Sequence, residues 1–558
     1  MSIKKRATAL ILCAACLCTA SCGSKTEKKA ETTKEIAADD NVTAPGELPI
    51  VKDPIELTIG VLGSPKVEDY ATNAYTKFLE EKTGIKLNFY EFPASGGDEK
   101  LNVMISSGTE LPDIISGFQI SKANFLKYAS EGTFLDLSPY MDEQSYWFND
   151  VKKKTKIENL DSWLSTADGA KYFMPHIIEM DGNLYGGKAF INKSWLDKLN
   201  LKMPETIEDF KNVMRAFKTM DPNGNGKADE ITFTGSNGGG WNEKPVNFLM
   251  NSYIYDDYEE SGLGVDENGK LTVNYMTDEY KRGIKEISEM MQEGLIDIQC
   301  YTQKNTTLRT LCSAEEEVVG AFATGSPDNL FPAGDERLLH YVPLPPLKGP
   351  DGKAYAFKTD YSVACSGVIT KYCKNPLAAY RLLDFMMSEE ASIMTHYGVE
   401  GPDWEWATHG EKAMFEDLGY EPRILWKMAY GSVQNSNWFS GNPAFRASDI
   451  SNTIAWDGDP LDGEYFKAKA LNAYWGKGPK EVFAKNKMLL DLSDQEEFDN
   501  LDVEIKTYLK EQIAQFVSGK KSVDKDWDGY IKDLKNLSID RYLELAQKGY
   551  DAFNAASE

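Results

Sequence analysis

Residues 221–230 read Asp-Pro-Asn-Gly-Asn-Gly-Lys-Ala-Asp-Glu and place side-chain oxygens at Asp221, Asn223, Asn225 and Asp229, at every second or fourth position. Gly224 and Gly226 let the backbone curl around a single point. Calcium takes roughly six to eight oxygen ligands, and this spacing follows the opening positions of an EF-hand loop. The closing position of such a loop, normally a bidentate Glu, falls here on Thr232. Glu230 would have to replace it, with the Lys227 carbonyl as a further ligand. The competing reading is an Asn/Gly turn that holds no metal. A calcium ion here would be structural, because no catalytic group adjoins the loop.

A second set of residues could recognise sugars. Pyranose rings carry apolar C–H faces that stack on Trp and Tyr, while their hydroxyls need amides and carboxylates. Trp241 follows Gly238, Gly239 and Gly240 and precedes Asn242 and Glu243. Trp404 and Trp406 alternate with Asp403 and Glu405 after a bend at Gly401-Pro402. Trp438 sits among Asn435, Asn437 and Ser440, and Tyr361 follows Asp360. Each of these five aromatics could equally be core. The ligand reading rests on their polar, turn-rich surroundings.

Catalytic patterns are missing. The string from Gly264 to Leu271 nearly matches a phosphate-binding loop, but Leu271 stands where the magnesium-binding hydroxyl belongs. Val265 and Leu271 to Val273 flank Glu267-Asn268-Gly269, which reads better as a hairpin turn. No H-E-x-x-H or G-x-S-x-G occurs, and His176, His340, His396 and His409 have no ligand spacing. Acids are plentiful, so a glycosidase carboxylate pair stays open, although nothing singles one out. The reading is a binding protein and not an enzyme.

The elements that must position these residues alternate in type. Ile55 to Ile59 and Ile85 to Phe89 alternate apolar with polar, while residues 67–82 and 100–107 carry helical spacing. Pro112 then leads into Asp113-Ile114-Ile115. Strands alternating with helices imply a parallel, wound α/β sheet. Thr206 and Asp209 form a capping box ahead of an apolar face at Ile207, Phe210, Val213, Met214 and Phe217. Trp527, Tyr530, Leu534 and Leu537 lie at helical spacing near the end of the chain.

The first residues set the compartment. Lys4, Lys5 and Arg6 precede an apolar run over residues 7–20, shorter than the roughly 20 residues a membrane span needs and typical of a signal peptide. Thr19-Ala20-Ser21-Cys22 resembles a bacterial lipobox, which implies cleavage before Cys22 and a diacylglycerol on its sulfur. Residues 22–50 are rich in Lys, Glu, Thr, Ala and Asp and are expected to be a disordered tether. The 558 residues carry a net charge of -26, which argues against nucleic acid and anionic polymers as partners. Of eight cysteines, Cys22, Cys300, Cys312, Cys365 and Cys373 survive cleavage, and spacing does not settle whether any pair. The length exceeds what one core supports, so two lobes are expected.

Five stretches together resemble the extracellular solute-binding proteins of family 1, in the large lipoprotein branch that serves sugar importers. They are residues 100–115 (K-L-N-V-M-I-S-S-G-T-E-L-P-D-I-I), 194–201 (S-W-L-D-K-L-N-L), 221–231 (D-P-N-G-N-G-K-A-D-E-I), 397–406 (Y-G-V-E-G-P-D-W-E-W) and 527–550. The resemblance implies a two-lobed, periplasmic-binding-protein-like α/β fold of type II with ligand in the interlobe cleft. It implies a first lobe at 54–175 and 354–394, a second at 180–352 and 398–490, and terminal helices at 491–558 packed outside. It further implies Glu230 as the replacement ligand of the calcium loop. The expected function is capture of an oligosaccharide by a monomer lipid-anchored on the outer face of the cell membrane, for delivery to an ATP-binding cassette importer. A peptide or other polar-solute binder, a cell-surface glycoside hydrolase and a signalling lipoprotein are the rival readings.

Overall fold

The run Ile55–Leu62 buries Leu57, Ile59 and Val61 at alternate positions, the two-residue period of a strand. It pairs in parallel with Ile85–Phe92 and with Ile114–Ser116. The helix Ala74–Thr83 joins the first two strands. Asn73 caps its start by accepting from the Tyr75 amide, and Gly84 ends it at φ 74°, a left-handed conformation that glycine takes without strain. This computed structural model describes residues 36–556 apart from 119, 259–260, 333, 409, 429–431 and 440. The expected leader, lipidation at Cys22 and the beginning of the tether lie outside the described residues.

The sheet of the first lobe has six strands, ordered Ala444–Arg446, Met174–Ile178, Ser362–Ile369, Ile114–Ser116, Ile55–Leu62 and Ile85–Phe92. Ser362–Ile369 runs antiparallel to both neighbours. The edge strand Ala444–Arg446 departs from the expected boundary, which gave all of 398–490 to the second lobe. The chain returns early because Trp438 fills the first core, edge-on to Tyr75 and Phe89.

Residues 36–50 also depart from the disordered segment expected. Ile50 is fully buried, Val42 bridges Val51, and the buried Arg381 donates to the carbonyls of Thr43 at 3.0 Å and Ala44 at 2.9 Å. An arginine buried in a helix needs acceptors, and these two carbonyls supply them.

The second lobe is built on a three-stranded antiparallel sheet, Ala321–Ala323, Ala189–Asn192 and Tyr341–Leu344. Thr206 and Asp209 form the capping box of Ile207–Thr219, whose buried face of Ile207, Phe210, Val213, Met214 and Phe217 is the one the spacing predicts. Leu263–Val265 and Leu271–Val273 form the expected hairpin. Cys300, Cys312, Cys365 and Cys373 are all free. No described helix is long and apolar enough to cross a membrane.

The terminal helices Leu492–Val517, Val523–Asn536 and Ile539–Ala555 do more than cover the outside. Phe498, Ile505, Phe516, Trp527, Tyr530 and Tyr542 belong to the same core as Phe210 and Phe217. Leu492–Val517 packs against Asp278–Glu293 of the second lobe and also against Lys122–Ser130 of the first. Lys122 reaches the Met488 carbonyl, and Trp163 of the first lobe meets Phe553 edge-on at 5.6 Å. The helices therefore bind both lobes together.

Candidate functional site

Trp241 stands half-buried on the second lobe, next to the segment by which the chain first crosses from one lobe to the other. Glycines seat it. A Cβ at Gly325 would come within 2.4 Å of its indole, and one at Gly186 within 2.5 Å of the adjoining Asn242 amide. The Trp241 carbonyl accepts from the Gly325 amide at 2.7 Å. Two ammonium groups lie over the ring, Lys188 at 5.6 Å and Lys467 at 6.0 Å from its centroid. Cations over an indole face are attracted by its quadrupole and hold the ring in place.

The electrostatics beneath the ring are unusual. Lys188 is fully buried and donates to the Gly182 and Gly325 carbonyls, at 3.5 and 3.4 Å. Burial, reinforced by Lys467, pushes its pKa down to about 7. Lys467 pairs with Glu464 at 2.7 Å and approaches the Asn183 amide oxygen in the crossing segment at 3.4 Å. Glu243 accepts from Asn305 at 2.6 Å and from Ser236, and burial raises its pKa. An aromatic plate with carboxylates and amides around it suits a hydroxylated ring.

The other four expected aromatics behave differently. Trp438, 2 % exposed, donates its indole N–H to Thr76 at 2.8 Å. Trp404, 5 % exposed, donates to the Gly398 carbonyl at 3.0 Å. Both are core residues with no open face, which corrects their assignment as ligand contacts. A Trp in a polar turn can still point inward when one buried acceptor satisfies its N–H. Tyr361 donates its hydroxyl to Asp181 at 2.6 Å, so that group is engaged within the fold. Trp406 keeps 43 % of its surface exposed, with the Arg423 guanidinium 5.7 Å from its ring centroid.

Asp181 ties the lobe crossings together. Its carboxylate also accepts from Tyr420 at 2.8 Å, and Lys156 of the first lobe donates to the Tyr420 oxygen at 3.1 Å. Asp181, Lys188 and Lys467 were not legible as site residues, since ordinary acids and lysines carry no spacing signal and tertiary contacts alone bring them together.

The loop 221–230 has the curl its glycines allow. Asp221, at φ 48°, accepts from the amides of Gly224 at 2.9 Å, Asn225 at 3.1 Å and Gly226 at 3.1 Å. Asn223 and Asn225 turn their amide nitrogens to Asp229, at 3.2 and 3.1 Å. As they stand, the described residues gather no group of three or more acidic, histidine or cysteine side chains able to hold an ion. The donor set nevertheless fits a hard cation. One Glu230 oxygen is buried without a hydrogen-bond partner, and burial, then Asp229 and Asp221, raises its pKa. Turning over the two Asn amides would present oxygens in place of nitrogens.

Residues 64–393, more than half of the chain, match the family model described as bacterial extracellular solute-binding protein. The chain is similar to the fructooligosaccharide ABC transporter substrate-binding protein FusA of Streptococcus pneumoniae, 26% identical over 484 residues that cover 86% of each chain. It is similar to lipoprotein LipO of Bacillus subtilis, 29% identical over 377 residues, 63% of this chain and 68% of that one. Among solved structures, a FusA EF-hand mutant in complex with fructo-nystose superimposes with a TM-score of 0.71 at 24% identity, covering 90% of this chain and 99% of that one.

Proposed function

The chain belongs to the bacterial extracellular solute-binding protein family, and on that premise we propose that it captures an oligosaccharide and delivers it to an ATP-binding cassette importer. The observation that carries the ligand class is the half-open indole of Trp241, braced by Lys188 and Lys467 and bordered by amides and carboxylates beside the lobe crossing. The similarity to FusA over 86% of both chains supports the same class. Trp406 is a second, outlying platform, and Asp181 with Tyr361 and Tyr420 forms the joint about which the lobes close on ligand. The protein performs no chemistry on what it binds.

Two further features complete the reading. Cys22 carries the lipid that holds a monomer at the outer face of the membrane, a reading supported by the leader ending at Ser21-Cys22 and by the likeness to a lipoprotein, LipO. Calcium occupies the loop through Asp221, Asn223, Asn225, Asp229, Glu230 and the Lys227 carbonyl and has a structural role, supported by the orphaned Glu230 oxygen. Calorimetry against panels of oligosaccharides and peptides, with product analysis of each mixture, tests the function. Saturable sugar binding without cleavage is expected. Exclusive peptide binding, or release of shorter sugars, would replace this reading with the peptide-binder or the hydrolase reading.

A further inference from the structure

A cavity of about 370 Å³ opens in the second lobe between Pro245–Met250, the start of Asp278–Glu293 and the helix Leu492–Val517. None of Gly186, Lys188, Trp241, Gly325 and Lys467 lines it, and it meets the site around Trp241 at Ser236, which is on its lining and donates to Glu243. Its size falls within the range of small-molecule sites, roughly 300–1,000 Å³.

The lining is chemically unfinished. Asp256 and Tyr280 are each 5 % exposed. On Asp256 one oxygen accepts from Asn247 at 2.8 Å and from the Tyr258 amide at 2.9 Å. The hydroxyls of Tyr275 and Tyr301 and the Asn274 Oδ1, on the same lining, are buried without a hydrogen-bond partner among the described residues. Buried polar atoms are nearly always paired in native folds, so such a concentration at one cavity points to a ligand that supplies the missing partners.

Charge narrows the class. Asp256 and Asp257 at the cavity disfavour an anion, and Lys244, Lys506 and Lys510 on the same lining disfavour a cation. Three tyrosine rings offer faces for apolar C–H surfaces. Burial, with Asp257 adding to it, pushes the Asp256 carboxyl up to about 7, so it can both donate and accept. We propose that this cavity is a second binding site, for a neutral polyhydroxylated molecule the size of a monosaccharide or polyol. It lies between the second lobe and the terminal helix Leu492–Val517, whose Lys506, Leu509, Lys510 and Ile513 close one side of it.

Saturation-transfer NMR on the whole mature protein tests this with glucose, galactose, fructose, sorbitol and myo-inositol as probes. At least one probe should show transfer with both the wild type and Trp241→Ala, because the cavity does not involve Trp241. Ile513→Trp, which fills the cavity from the terminal helix, should weaken that probe about tenfold or more, the equivalent of roughly 1.4 kcal/mol. Tyr280→Phe, which keeps the volume and removes one hydroxyl, should weaken it severalfold at an unchanged melting temperature, and it decides the matter should Ile513→Trp fail to fold. Absence of transfer from every probe overturns the proposal, and so does transfer that survives Tyr280→Phe unchanged. Transfer lost in Trp241→Ala would assign the signal to the first site instead.

Discussion

The Tyr361 hydroxyl donates to the Asp181 carboxylate at 2.6 Å, and so fastens the strand by which the chain re-enters the first lobe to the segment by which it left. Hydrogen bonds to a charged group are worth about 1.5–3 kcal/mol. Tyr361→Phe should therefore lower the melting temperature by several degrees in calorimetry while oligosaccharide affinity changes less than tenfold. Lost affinity at an unchanged melting temperature would instead make Tyr361 a ligand contact.

Trp241 and Trp438 should separate cleanly. Trp241→Ala is expected to weaken oligosaccharide binding by about 1–3 kcal/mol, the worth of one large apolar contact, with little change in melting. Trp438→Ala removes a core side chain that is 2 % exposed and should destabilise the fold by about 3–5 kcal/mol. Gly325→Ala should mimic the first variant, because its added carbon falls 2.4 Å from the indole. Titration and denaturant curves on the three proteins give the comparison, and equal stability losses in all three would refute it.

Chelation should act on stability and not on ligand. If calcium fills the loop, it stabilises the folded state by about 3–4 kcal/mol at a hundred- to thousandfold excess over its dissociation constant. Chelator should lower the melting temperature, added calcium should restore it, and Asp221→Ala should remove the difference. Elemental analysis of the purified protein gives an independent reading, and absence of metal together with indifference to chelator would discard the site.

Acid should weaken the fold through two histidines. Burial, with Arg446 adding to it, lowers the His176 pKa to about 4 and that of His396 well below its usual value. In the unfolded chain both titrate near 6.5. The stability tied to their neutral forms is complete above about pH 6.5 and is lost as pH falls toward 4, because the unfolded chain takes up protons that the fold refuses. Asp256, raised to about 7, works oppositely and gains stability as pH falls through 7. Denaturant midpoints between pH 4 and 7 should therefore fall more steeply in Asp256→Asn than in the wild type, and less steeply in His396→Asn.

Much of the frame was legible because local signals agreed with the tertiary outcome. The capping box at Thr206 and Asp209 and the hairpin around Gly269 each depend on a few neighbouring residues, and both formed as read. The early return of Ala444–Arg446 to the first sheet had no such signal, since strand Met174–Ile178 is far away in sequence and its open edge is a tertiary fact. Trp404 and Trp438 were misread for a related reason. Composition shows that an indole has polar neighbours in sequence, but burial depends on what folds over it, and here Gly398 and Thr76 accept both N–H groups. Lys188 illustrates the limit, because nothing in its neighbours marks a lysine that ends fully buried under a tryptophan.

The helix Leu492–Val517 rests on Asp278–Glu293 over a broad contact and on Lys122–Ser130 over a smaller one, where Lys122 reaches the Met488 carbonyl. Mechanically the helix travels with the second lobe and rubs on the first. A swing of the lobes would shear the Lys122 contact and the edge-on pair of Trp163 and Phe553 while the core shared with the second lobe stays intact. Any change in the spacing of the lobes must therefore break or re-form contacts of the terminal helices, and not only those at the crossings.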